Sequence, residues 1–173
     1  AAAALGLNPE NRARSLISQT NAFAIKSEAN VQFTLAGVEA FPGFEEKSNL
    51  INITLDEVRD DDFVQERRTT NLADLVVVFT DGDFSSNNTF GLAPIADAGN
   101  PARGFHSLVE LDVAGLHIFS HEVGHNFGCK HENDNSDFPP HRPRSARGHS
   151  FSKNGTEYLT IMHNPPLPDE DQA

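Results

Sequence analysis

The feature that most constrains this chain is the stretch His121-Glu122-Val123-Gly124-His125-Asn126-Phe127-Gly128-Cys129-Lys130-His131, whose spacing is H-E-x-x-H-x-x-G-x-x-H. An α-helix advances about 100° per residue, so His121 and His125 lie one turn apart and only about 40° from each other around the axis. Two imidazoles so placed can grip one metal ion from the same side. Glu122 lies on the flank of that face, able to touch a ligand on the metal without binding the metal itself. Gly128 stands where a helix can end in a left-handed residue, a conformation that a Cβ opposes. The chain then turns and brings back His131 as a third imidazole. Five specified positions at roughly 5% each make an accidental match about a one-in-millions event per starting position. Core histidines on a helix would leave the glycine and the third histidine unexplained.

Three neutral imidazoles leave one of zinc's four tetrahedral positions open for water, which is the catalytic arrangement; four protein ligands would close a structural site. Zinc lowers the pKa of its bound water to about 7 and polarises a carbonyl oxygen. Glu122 is then placed to accept the water's proton as it attacks and to deliver it to the departing amine. The expected reaction is hydrolysis of peptide bonds by a zinc-bound water that Glu122 activates.

The eleven-residue pattern is similar to the extended zinc motif of the metzincin metalloproteases, which also carries a methionine turn downstream of the third histidine. Here Thr160-Ile161-Met162 supplies it, and Met162 is the only methionine in the chain. The wording Gly124-His125-Asn126-Phe127-Gly128 most resembles the reprolysin (adamalysin) branch and its secreted microbial relatives. The resemblance is dense over residues 74 to 163. It implies an α/β (α+β) fold: a twisted mixed sheet with an antiparallel edge strand, packed by long helices that include the active-site helix, and a small irregular C-terminal subdomain. It implies a secreted protein, and a Met162 packed beneath the ligand imidazoles to shape the floor of the site. The branch fingerprint is mixed. Glu132 follows the third histidine, as in astacins, where reprolysins usually carry Asp. Met162-His163 is also astacin-like, but Asn164 stands where astacins have a zinc-binding tyrosine.

A chain of 173 residues with 38% hydrophobic residues has the size of one domain with a proper core. It is read as a single catalytic domain, 1–173, with an upper subdomain 1–131 and a lower one 132–173. No apolar run approaches the length of a membrane span. With 25 acidic residues against 13 basic ones and a formal charge of −12, nucleic acid and anionic membranes are disfavoured as partners. The lone Cys129 can form no intrachain disulfide and reads as a packed or half-exposed bystander rather than a nucleophile. No charged-then-apolar leader precedes Ala1, so a signal peptide has been removed or was never there.

Residues 1 to 8 give little signal. A metzincin-like domain usually opens with a strand before its first helix, and none is legible here, so the chain begins inside the domain or its start has been trimmed. Asn8 as cap and Pro9 at the first helical position predict a helix to Ser27, with Leu16, Thr20, Phe23 and Ser27 at helical spacing. Val31, Phe33 and Leu35 alternate with Gln32 and Thr34, which predicts a half-buried strand over 31–38. Phe41-Pro42-Gly43-Phe44 reads as a turn. Residues 52–71 predict one helix, with an acidic opening (Asp56, Glu57, Asp60 to Asp62) and a basic end (Arg67, Arg68) that match the helix dipole.

Residues 74–80, with Leu75-Val76-Val77-Val78-Phe79 unbroken, predict a strand in the middle of a sheet covered by helices. Asp81 to Thr89 is a polar loop; Asp81-Gly82-Asp83 suggests calcium, but its spacing does not fit an EF-hand. In Gly91-Leu92-Ala93-Pro94-Ile95-Ala96, Pro94 cannot donate to a ladder, so this strand belongs at an edge. By the metzincin resemblance such a strand lines the cleft. Gly91, Leu92 and Ala93 would then hold a protein or peptide substrate as an added strand. Phe105 to Leu111 is a further strand. Asp112 caps the active-site helix, 113–127, whose stripe of Leu116, Phe119, Val123 and Phe127 packs it on the sheet. His117, one turn before His121, is a conceivable fourth ligand but fits packing better. His141, His149 and His163 read as surface or packing residues, and residues 157–160 as a short extended piece leading to the methionine turn.

Two function classes stand side by side. One is an active endopeptidase; the other is a zinc-loaded binding or adhesion module with little or no hydrolysis. Retention of Glu122 favours the first, because a silent relative has little physical need for that carboxylate.

Overall fold

The structure is a computed structural model that describes residues 8–44, 51–80, 89–96, 104–111, 116–132 and 146–163. In chain order its elements are α1 (Pro9–Lys26), α2 (Ile51–Asp60), α3 (Asp62–Thr70), β1 (Val76–Thr80), β2 (Gly91–Leu92), β3 (His106–Glu110), α4 (Leu116–Asn126), β4 (Ser150–Lys153) and β5 (Thr156–Leu159). The order in the larger sheet is β1-β3-β2. β1 runs parallel to β3, with Val76 opposite His106 and Thr80 opposite Glu110. β2 runs antiparallel to β3 through Gly91–Val109 and Leu92–Leu108. Among the described residues, the small mixed sheet and four helices are the α+β architecture expected, antiparallel edge strand included.

Helices cover both faces of this sheet, which explains the unbroken apolar run of β1. Val76 and Val78 face a cluster of Ile51, Leu55, Val58, Val64 and Leu108. Val77 and Phe79 face Leu16, Phe119 and Val123 on the other side. Alternate residues of a strand point to opposite faces, so a strand covered twice must be apolar throughout. The middle of the described sheet is nevertheless β3, buried at every position, while β1 lies at its edge. The sequence expectation put β1 in the centre because its run is apolar on both faces, but helices on both sides of the sheet require that of an edge strand too.

Other expectations meet local chemistry. Asn8 caps α1 by accepting from the Asn11 amide at 3.0 Å, with Pro9 in the first turn. The single helix expected over 52–71 is two, because the Asp61 side chain accepts from the amides of Phe63 and Val64 and starts α3 there. Asp61 and Asp62 therefore sit at a helix start, that of α3, while Asp56 and Glu57 lie inside α2. Residues 31–38 keep the predicted alternation, with Val31, Phe33 and Leu35 half-buried between exposed neighbours, but form no strand. The Asn21 amide of α1 occupies both backbone groups of Phe33, at 2.9 and 2.7 Å, and so takes the place of a strand partner. The C-terminal segment is not wholly irregular: β4 and β5 form an antiparallel hairpin. Its turn residues Asn154 and Gly155 both have positive φ, which matches a type I′ hairpin turn. The loop 81–88, the Asp112 cap and His141 lie outside the described residues. No helix among the described residues is long and apolar enough to cross a membrane.

Candidate metal centre

The direction in which α4 points its histidines is set by what it buries. Phe119 (7% exposed) and Val123 (4%) pack on the sheet, and the Thr20 hydroxyl of α1 meets Ser120 at 2.7 Å. Phe127, expected in the buried stripe, is exposed and touches Phe33 edge-on. The helix has already ended there, because Gly128 has φ +85°. The Cys129 amide donates to the Gly124 carbonyl and the Gly128 amide to that of His125, at 3.0 and 2.8 Å. This pair of bonds around a left-handed glycine is the Schellman motif, and it swings the chain so that His131 returns to the helix.

The result is convergence. His121 Nε2 and His131 Nε2 are 2.9 Å apart, and His125 Nε2 is 3.1 Å from each. His121 Nδ1 donates to the Ile161 carbonyl and His125 Nδ1 to the Cys129 carbonyl, both at 2.8 Å. A carbonyl can only accept, so these bonds place the neutral-ring protons on Nδ1 and leave Nε2 as a bare lone pair. Lone pairs aimed at one another at such distances repel unless a cation sits among them. Tetrahedral zinc with bonds of about 2.0–2.1 Å spaces its nitrogens about 3.3 Å apart, so the triangle fits with a few tenths of an ångström of adjustment. His121, His125 and His131 could together hold one metal ion. Burial disfavours the charged form of His121 and lowers its pKa, against the opposing effect of the Ile161 carbonyl.

Glu122 is 5% exposed, and burial pushes its carboxyl up to about 8. The edge strand passes directly over it: a Cβ on Gly91 would lie 2.7 Å from Glu122 Oε1 and 2.8 Å from Ile118 Cγ2. Only glycine allows β2 this close to the carboxylate. Leu92 is half-buried and Ala93 buried, so this segment can offer an extended ligand mainly its backbone. Among the described residues, no strand pairs with the side of β2 away from β3.

Met162 (9% exposed) lies under the helix, where any Cβ at Gly124 would run into its sulfur. Gly124 is therefore the seat of Met162, a second reason for a glycine inside the motif. His117 is exposed, beside the Phe23 ring, and outside the three-histidine group. His149 is exposed, and His163 is half-buried against Glu132.

Several contributors were invisible in the sequence. The carbonyls of Ile161 and Cys129 act through the backbone and carry no side-chain signal. The hairpin could have been found from Asn154-Gly155, a dipeptide suited to positive φ at both turn positions.

A family model described as Reprolysin_5, metallo-peptidase family M12, matches residues 1–165. A solved structure described as that of a chaperone–substrate complex is similar, with a TM-score of 0.67 at 21% identity over 91% of this chain and 24% of that one. At that identity the likeness is one of fold, and the chain spans about a quarter of the protein it matches. No curated protein matches the sequence.

Proposed function

The chain belongs to metallo-peptidase family M12, and from that membership we propose that it is a zinc-dependent endopeptidase acting on proteins or peptides, organised as a single catalytic domain and secreted. The observation that carries this reading is the triangle of three Nε2 atoms at 2.9–3.1 Å, with two of the rings oriented by backbone carbonyls. His121, His125 and His131 would hold the ion. When bound, zinc supplies a Lewis acid that polarises the scissile carbonyl and makes water acidic near neutral pH.

The chain's own residues do the rest. Gly91 and Leu92 would add the substrate as an extended strand to the outer edge of the sheet. Because β2 runs over Glu122, a peptide on that edge is delivered beside the carboxylate. Glu122 would take a proton from the attacking water and return it to the leaving amine. Its burial keeps competing water away and makes it a stronger base than an exposed carboxylate. Met162, seated against Gly124, would support the imidazoles from below.

Zinc content and chelator-sensitive cleavage of casein test the reading together. Glu122→Ala should keep its zinc and lose nearly all hydrolysis; a variant retaining half the parental rate removes Glu122 from the mechanism. His131→Ala should lose zinc on dialysis, and unchanged metal content would remove it from the ligand set. A protein that binds zinc but cleaves nothing would be the binding or adhesion module.

A further inference from the structure

Glu132 directly follows His131, and its carboxylate accepts three hydrogen bonds. Oε1 accepts from the Ser150 amide at 3.1 Å and from the Ser150 hydroxyl at 3.0 Å. Oε2 accepts from His163 Nδ1. The side chain is 24% exposed and that of His163 only 10%. Burial alone would raise the Glu132 carboxyl, but the bonds from Ser150 and His163 outweigh it and hold the group below the usual carboxylate range.

What lies on the far side of these bonds gives them meaning. His163 follows Met162, whose sulfur rests on Gly124. One residue earlier, the Ile161 carbonyl takes the Nδ1 proton of His121. Ser150 opens β4, and the neighbouring His149 pairs with Thr160 through 2.8 and 2.9 Å bonds. The contacts therefore close a ring: His131, Glu132, His163, Met162, Ile161 and back to His121. A solvated surface ion pair contributes little and constrains nothing beyond itself. Glu132 instead joins the chain next to one imidazole to the carbonyl that aims another. We propose that Glu132 is a positioning residue of the metal centre, clamping the methionine turn and the β4–β5 hairpin to the third histidine and so fixing the relative aim of His121 and His131. This rests on the three-histidine metal site proposed above.

The test uses the full chain loaded with Co(II), whose visible absorption reports ligand geometry. Glu132→Gln keeps the volume but loses an acceptor oxygen; His163→Phe keeps a packed ring but loses the donor. Outer partners of metal ligands typically matter by about 10–100-fold in metal affinity. Both variants should bind Co(II) more weakly by roughly that factor, with a shifted absorption band. With zinc and casein, kcat should fall while KM stays near the parental value. Glu132→Asp should recover part of both. Parental Co(II) affinity and spectrum in both variants, or a loss confined to KM, overturns the proposal. If Glu132→Gln does not fold, His163→Phe decides alone. A parent that binds Co(II) but cleaves no casein defeats the endopeptidase reading, while the spectra still decide the clamp.

Discussion

Above the three imidazoles, every residue of β3 is buried and Leu108 is fully enclosed against α2 and α3. Below them, every residue of β5 is exposed, and within 146–163 only Gly148 and Met162 are buried. The upper side is held by apolar volume on both faces of a sheet. Among the described residues, the lower side is held by specific contacts such as Met162 on Gly124, Ser150 and His163 on Glu132, and the backbone β-bridge between Lys130 and Arg147. Non-directional burial tolerates surface change, whereas a hydrogen-bonded clamp depends on single atoms. The same site is thus stabilised from one side and aimed from the other.

The sharpest break in this contrast is a paired truncation. Leu108→Ala should cost about 2–5 kcal/mol in denaturant unfolding. Tyr158→Ala on the exposed hairpin should change stability by less than about 0.5 kcal/mol. Similar losses from both would mean that the hairpin belongs to the core.

The upper side should also carry a pH dependence. His106 is 2% exposed, and burial, then the charges of Arg68 and Arg59, bring its pKa down to about 4, with Asp60 opposing. Because the folded pKa lies below the unfolded one, the contribution is complete above the ordinary histidine value of 6.5 and is lost as pH falls toward about 4. Its full size is on the order of 3 kcal/mol. Unfolding with the metal chelated, at pH 7.5 and pH 5, should show the parent losing more stability than His106→Gln. Equal losses would show that β3 does not bury this ring.

The seam between the two sides is probed by Gly124→Ala. A helical alanine gains about 1 kcal/mol over glycine, but overlap with the buried Met162 sulfur should cost about 1–3 kcal/mol. The expected outcome is a small net loss of stability with clearly weaker zinc retention. A variant more stable than the parent, with zinc intact, would make the seam soft. The most local effect belongs to Gly155→Ala, where φ is +77° and nothing lies within 4 Å of the added Cβ. Backbone strain alone should cost about 1 kcal/mol, seen as faster amide exchange confined to β4 and β5. A global loss would contradict the separation of the two sides.

The motif, the α1 cap, the edge placement of β2 and the left-handed turn at Gly128 were legible because each follows from short-range chemistry: spacing on a helix, a missing amide proton, a missing Cβ. The alternation over 31–38 was read correctly as burial and wrongly as a strand, since a side-chain amide from α1 can satisfy the same backbone groups. The break at Asp61 was hidden because an acidic cluster looks the same at a helix start and at a junction.

The sequence by itself determined that two imidazoles share one helix face, that a glycine turns the chain after them, and that a third histidine follows at the right distance. Only the tertiary structure decided that the three Nε2 atoms meet, that Gly91 brings the edge strand onto Glu122, and that Glu132 reaches His163. Local conformational preference acts over a few residues, whereas the Ile161 carbonyl that aims His121, the pass of Gly91 over Glu122 and the Glu132–His163 bond join positions tens of residues apart through contacts that no residue type announces.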